Sequence, residues 1–140
     1  MQLAELGTRR PVCIDSEASI LAASRLMREQ DVSDLVVTER QDGESLPIGI
    51  LSAQEIVTRV LALELDPGVL KVGDVLWARP FPVRVTDSVT DTLERLCETG
   101  GDALPVVHGD GRIAGVVCLD DLLEALAGSE SARTNRFHSR

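Results

Sequence analysis

The sequence holds no tyrosine, one tryptophan and two phenylalanines, so aromatics are 2% of it. Hydrophobic residues still reach 44%, and nearly all are aliphatic. Disorder needs low hydrophobicity and is excluded. A core of small branched side chains suits packed strands and helices in a mixed fold. Histidine is scarce: His108 stands in a turn sequence and His138 in a polar tail, too scattered for a metal cluster. Cysteine is limited to Cys13, Cys97 and Cys118, with no CxxC spacing. An odd count so spaced argues against a disulfide framework or a structural zinc site. Each cysteine is expected to be a small buried hydrophobe in a reducing compartment.

Other absences narrow the function. Lys71 is the sole lysine and no GxxxxGKS/T loop is present, so a phosphate-cradling P-loop is excluded. No His-Cys or Ser-His grouping stands ready for nucleophilic catalysis, and no enzyme is expected. The net charge of −9 opposes nucleic-acid binding, which depends on Lys and Arg neutralising phosphates. It also opposes an anionic membrane surface. No run approaches the roughly 18 apolar residues of a membrane span. Met1 to Arg10 lacks the order of a signal peptide. A soluble cytoplasmic protein is the expectation.

What the chain does contain is an internal repeat. Ser19-Ile20 through Leu35-Val36-Val37 matches Ser88-Val89 through Leu104-Pro105-Val106, at the offset of 69 positions that separates Leu35 from Leu104. Leu3-Ala4-Glu5-Leu6 matches Val72-Gly73-Asp74-Val75 at the same offset. Gly49 then matches Gly115 at an offset of 66, so the first repeat carries three extra residues, assigned to the loop Glu39 to Leu46. Residues 1–65 form the first repeat, 66–127 the linker and second repeat, and 128–140 a polar, basic tail expected to be disordered.

Each repeat reads as strand, helix, strand, strand, helix. Val12 to Ile14 and Pro82 to Val85 are short extended pieces. Ala18-Ser19 opens a helix to about Glu29, with Ile20, Ala23 and Met27 on one stripe. Asp87 or Ser88 caps its counterpart, which Gly100-Gly101 ends. Leu35-Val36-Val37 and Leu104 to Val107 are continuous apolar runs and read as buried strands. Asp-Gly turns at Asp42-Gly43 and Asp110-Gly111 lead into Ile48 to Leu51 and Ile113 to Val117. Final helices are expected at about Ala53 to Leu65 and Leu119 to Leu126.

Leu104-Pro105-Val106-Val107, the Gly109-Asp110-Gly111 turn, Gly115-Val116-Val117 and Asp120-Asp121 together resemble the CBS domain signature. The first repeat resembles it with Val36 at the proline position. The resemblance covers about residues 3 to 126 and rests on the duplicated order of short motifs. It implies an α/β (α+β) fold in which two β-α-β-β-α repeats pack sheet to sheet with pseudo-two-fold symmetry. It also implies a non-catalytic regulatory module that binds a small ligand between the repeats. The ligand class is adenosine-containing: AMP, ADP, ATP or S-adenosylmethionine. The alternative is a ligand-free dimerisation or adaptor module acting on a separate effector protein.

The resemblance assigns site residues. Asp121 stands where the family takes ribose hydroxyls, and a carboxylate can accept two hydrogen bonds from a vicinal diol. Cys118 occupies the position of the family's phosphate-side hydroxyl. Cys13 and Ile14 are expected near the base, with Val32, Ser33 and Asp34 as a backbone wall and Val116 opposite Ile14 and Val32 across the adenine. A weaker second site comprises Ser52, Glu55, Val83, Asp102 and Ala103, with Glu55 in the carboxylate position. Bland readings compete: an acidic residue favours any first helical turn, and Val or Ile is usually core. Asp34 and Asp102 would oppose a phosphate by about 1 kcal/mol or more per close pair, which favours S-adenosylmethionine or adenosine over ATP.

The helix Glu55 to Leu65 carries Ile56, Val57, Val60, Leu61, Leu63 and Leu65, apolar over more than one face. Joined by Leu119, Leu122, Leu123 and Leu126, it points to a partner chain, and a homodimer is expected.

Overall fold

The computed structural model describes residues 1–76, 82–99 and 101–130. The tail beyond Glu130, His138 within it and the Gly100 part of the Gly100-Gly101 helix stop lie outside the described residues.

The first repeat builds a three-stranded sheet in the order β1 (Cys13–Asp15), β2 (Asp34–Gln41), β3 (Glu44–Ser52). β1 runs parallel to β2 and β3 antiparallel to it. The crossover is α2 (Ile20–Gln30), where the Ser19 hydroxyl accepts from the Ala22 N–H at 3.0 Å and satisfies a first-turn donor. Ile20, Ala23 and Met27 are its buried stripe. The second repeat copies this plan with β4 (Val83–Arg84), α5 (Val89–Thr99), β5 (Ala103–Val107) and β6 (Ile113–Cys118). Ser88 caps α5, its hydroxyl accepting from the Asp91 N–H at 3.0 Å.

The copying extends to irregularities. Each hairpin breaks register at one place, Val37/Thr38 in the first and Val106/Val107 in the second, and the residue paired there is Gly49 or Gly115. Such bulges bend a strand and raise its twist. The three extra residues of the first repeat do not form a loop, as the sequence reading had it. They lengthen the ladder until Gln41 pairs with Glu44. Asp42 and Gly43, at φ 51° and 81°, close it in the left-handed conformation that a two-residue hairpin turn requires.

Two short helices cross over between the repeats. α1 (Leu3–Leu6) precedes the first sheet in the chain, yet Leu3 is fully buried in the second core. Its N–H donates to the Asp87 carbonyl at 2.9 Å. α4 (Val72–Val75), in the linker, buries Val72 and Val75 in the first core, and Val72 N–H donates to the Ala18 carbonyl at 2.8 Å.

Period-two alternation sorts the cores. Leu35 and Val37 face the helices of the first repeat, and Leu104, Val106 and Val117 those of the second. The opposite faces carry Val36, Ala103 and Val116, with Ile50, Ile113 and Cys118 packed around them, and this third cluster joins the two sheets.

The last helices differ. α6 (Leu119–Glu130) is regular and continues past the expected end at Leu126. Its counterpart α3 (Ala53–Ile56) gives way to a π-helical turn, Val57–Leu61. There the Ala62 N–H reaches the Val57 carbonyl at 2.9 Å and the Leu65 N–H reaches Val60 at 3.0 Å. One continuous helix to Leu65 was expected; the wider turn replaces it. Val60 stays buried, while Val57, Leu61, Leu63 and Leu65 face outward.

Candidate functional site

The N-terminal segment after α1 leaves the second core and runs along β6. Arg9 N–H donates to the Val116 carbonyl at 2.8 Å, and Val116 N–H donates back to Arg9 at 3.0 Å. Glycine at 115 makes this approach feasible. A Cβ there would lie 2.7 Å from the Arg9 carbonyl oxygen and would overlap the Thr8 hydroxyl. The absence of a side chain thus seats a second strand-like segment on β6.

Seated so, Arg9 reaches the first turn of α6. Its Nε and Nη2 donate to the two oxygens of Asp121 at 2.9 and 3.1 Å. This is a bidentate guanidinium–carboxylate pair, with Arg9 exposed and Asp121 about three-quarters covered. The hydrogen bond to Asp121 raises the Arg9 pKa further above its ordinary value. Around the pair lies an open cleft of about 480 Å³, lined by Leu6, Gly7, Thr8, Arg9, Asp121, Glu124 and Ala125.

Of the residues expected at the principal site, Asp121 lines this cleft; Arg9 and Thr8 are the neighbours that sequence reasoning missed. They stand between α1 and β1, and no local sequence signal places that segment against β6. Cys118 and Val116 lie next door in the cluster between the sheets. Cys13 pairs in register with Val36 at the edge of the same sheet face. Ile14 and Val32 are not brought to Val116. Both pack into the first core, on the helix side of the sheet, because alternation places Ile14 beside Val37 rather than Val36. Ser33 serves by its carbonyl, which accepts from the first N–H of α3 at 2.8 Å.

The cysteines differ from expectation. Cys13 and Cys97 are exposed and Cys118 is half-buried. Cys97 follows the buried Leu96 on α5 and so falls on its outer face. Burial pushes the Cys118 thiol up, while the positive charge of Arg9 opposes the rise.

The equivalent carboxylate of the first repeat is engaged locally. Glu55 Oε1 accepts from the Ser52 N–H at 3.0 Å and from the Ser52 hydroxyl at 3.1 Å, and the Ser52 oxygen accepts from the Glu55 N–H at 3.1 Å. This is a reciprocal capping box. The other oxygen of Glu55 lies 3.6 Å from Arg59. Of the remaining second-site residues, Val83 is buried in the second core and Ala103 between the sheets. The Asp102 carbonyl accepts from the Leu119 N–H at 2.8 Å. Asp34 is half-buried, and its carboxyl is pushed above the usual range by burial, then by Asp102 and Glu55. Among the described residues, no group of three or more His, Cys, Asp or Glu is placed to hold a metal ion. No helix among them is long and apolar enough to cross a membrane.

The described residues form a pseudo-symmetric pair of three-stranded α+β repeats, with an acidic residue in the first turn of each last helix. The CBS domain family model matches residues 3–62 and 72–128, and the chain belongs to that family. A protein of Methanocaldococcus jannaschii is 29% identical over 117 residues, 83% of this chain and 61% of that one. One of Methanopyrus kandleri is 24% identical over 98 residues, 70% of this chain and 48% of that one. The chain therefore spans only part of these relatives. A CBS domain protein from Pyrobaculum aerophilum, solved in complex with AMP, superposes with a TM-score of 0.76 at 25% identity, covering 91% of this chain and 99% of that one. A hexameric CBS-CP12 protein from bloom-forming cyanobacteria gives 0.77 at 24% identity, covering 96% and 77%.

Proposed function

We propose that the protein is a non-catalytic regulatory module that binds an adenosine-containing ligand in the cleft beside Asp121. The observation that carries this reading is the carboxylate itself. Asp121 sits in an open cleft of about 480 Å³ with both oxygens in one bidentate contact. Both oxygens can instead accept from the two hydroxyls of a ribose. The AMP held by the Pyrobaculum protein supports the ligand class. Glu55 offers no such surface, since its carboxylate is committed to its own helix N-terminus. The first-repeat cleft is therefore weak or empty, and the ligand count is one per chain.

The module acts in the cytoplasm on a separate effector protein, and as a homodimer. The motive for the dimer is the outward face of Val57, Leu61, Leu63 and Leu65, with Leu123 also exposed. A dimeric mass by light scattering at micromolar concentration is the expected result.

Calorimetry tests the ligand reading. Wild type takes up AMP, adenosine or S-adenosylmethionine with one site per chain. Asp121→Ala abolishes binding, and Glu55→Ala leaves it within about twofold, less than the loss of one ordinary hydrogen bond. No heat with any adenosine compound would favour the adaptor reading, and equal loss from both substitutions would move the site away from Asp121.

A further inference from the structure

We infer that Arg9 is the specificity determinant of the Asp121 cleft: an intramolecular competitor that makes the cleft select ligands carrying an anionic group as well as a diol. The inference rests on the proposed role of Asp121 and adds a residue that role does not require.

The Arg9 backbone is fixed on Val116 by two hydrogen bonds, at 2.8 and 3.0 Å, so the residue stays at the cleft. Its side chain is free to turn, being long and 62% exposed. The guanidinium takes one bond to each oxygen of Asp121. Those are the oxygens a diol needs. A ligand whose diol takes the same lone pairs of Asp121 displaces the guanidinium, and the displaced cation needs a new counter-charge within reach of its fixed backbone.

Three candidates exist. Glu124 lines the same cleft and Asp120 lies near enough to act on the Arg9 charge, but both are exposed to water, and such pairs contribute little. A phosphate on the ligand is the better partner, because it presents a bidentate edge and carries up to two charges. A neutral nucleoside breaks the Arg9–Asp121 pair without replacing it. A nucleoside monophosphate replaces it. Asp34 and Asp102 do not line this cleft; the carboxylates that do are Asp121, which the diol takes, and the exposed Glu124.

The experiment compares AMP and adenosine on the wild type, Arg9→Gln and Arg9→Lys by calorimetry. The main-chain bonds of residue 9 do not depend on its side chain, so both variants retain the seated segment; an unchanged melting temperature verifies it. Wild type binds AMP about tenfold or more tighter than adenosine, the factor of a hydrogen bond to a charged group. In Arg9→Gln adenosine binds more tightly than to wild type, and the ratio falls to about threefold or less. Arg9→Lys keeps the charge without the fork and lies between. A ratio unchanged in Arg9→Gln, or no AMP preference in wild type, overturns the role of Arg9 while leaving the cleft standing. Absence of binding by every protein removes the cleft reading itself.

Discussion

In the first repeat the carboxylate three residues past the N-cap turns back onto Ser52 and closes a capping box. In the second the equivalent carboxylate, Asp121, turns away from its own helix and meets Arg9. The backbones around them are nearly the same, even to a bulge opposite a glycine. The difference comes from three side chains. Serine at 52 is a good cap and cysteine at 118 a poor one, because sulfur is a weak acceptor. Glutamate has the reach to fold back, and aspartate is one methylene shorter. An arginine stands on β6 only because Gly115 leaves room for it. A duplicated fold can thus keep one copy for stability and expose the chemistry of the other.

The largest test of this contrast is Gly115→Val. The added Cβ would meet the Arg9 carbonyl oxygen and overlap Thr8. Neither neighbour is the tip of a flexible side chain, so the segment must lift off β6. Destabilisation of about 2–3 kcal/mol by urea unfolding is expected, as for other overpacked sites. Stability equal to wild type would show that Thr8 and Arg9 are not seated as described.

The caps come next. Ser52→Ala removes the oxygen that accepts from the Glu55 N–H and frees Glu55, and costs about 1 kcal/mol. Cys118→Ser installs the same cap in the second repeat and gains about 0.5–1 kcal/mol. Opposite signs in paired urea titrations uphold the contrast. A loss from Cys118→Ser would mean that packing of the thiol between the sheets outweighs its failure as a cap.

Much of this was legible in the sequence. The repeat offset, the cap residues, the Asp-Gly turns and the match of Leu3-Leu6 to Val72-Val75 are all local signals, and short helices stand at both of the last pair. Their exchange of cores was not legible, because pattern matching fixes what a segment forms and not which sheet it covers. The same limit hid Arg9, which becomes a neighbour of Asp121 only through that exchange. Ile14 lies off the site for a simpler reason: one residue of register moves a side chain to the other face of a strand, while Val32 stands in the loop before β2 and packs into the first core. The cysteines were assigned by residue-type preference, which strand and helix geometry overrode at Cys13 and Cys97. The π-helical turn, Val57–Leu61, holds no Pro or Gly to mark a break in the helix.

The smallest effect separates the repeats at a single equivalent position. Residue 34 of the first repeat corresponds to residue 103 of the second by the 69-residue offset, and they are aspartate and alanine. Asp34 opens β2 opposite Ser52, half-buried, and burial, Asp102 and Glu55 all push its carboxyl pKa up. Folding therefore favours its protonated form. With the folded pKa above the unfolded one, near 3.9, the native state binds more protons in the window between them. Stability then falls as pH rises through that window and stays reduced above it. Asp34→Asn removes the charge while leaving the β2–β3 main-chain bonds in place. It is expected to raise Tm by about 2 °C at pH 7–8, with the gain shrinking as pH falls through the raised pKa and vanishing below about pH 4. Differential scanning calorimetry of both proteins from pH 3.5 to 8 provides the measurement. A Tm difference constant across that range would assign the effect to shape and hydrogen bonding rather than to charge. A lower Tm for Asp34→Asn at pH 7 would mean that the carboxylate has a stabilising partner in the native state and that repulsion from Asp102 and Glu55 is secondary.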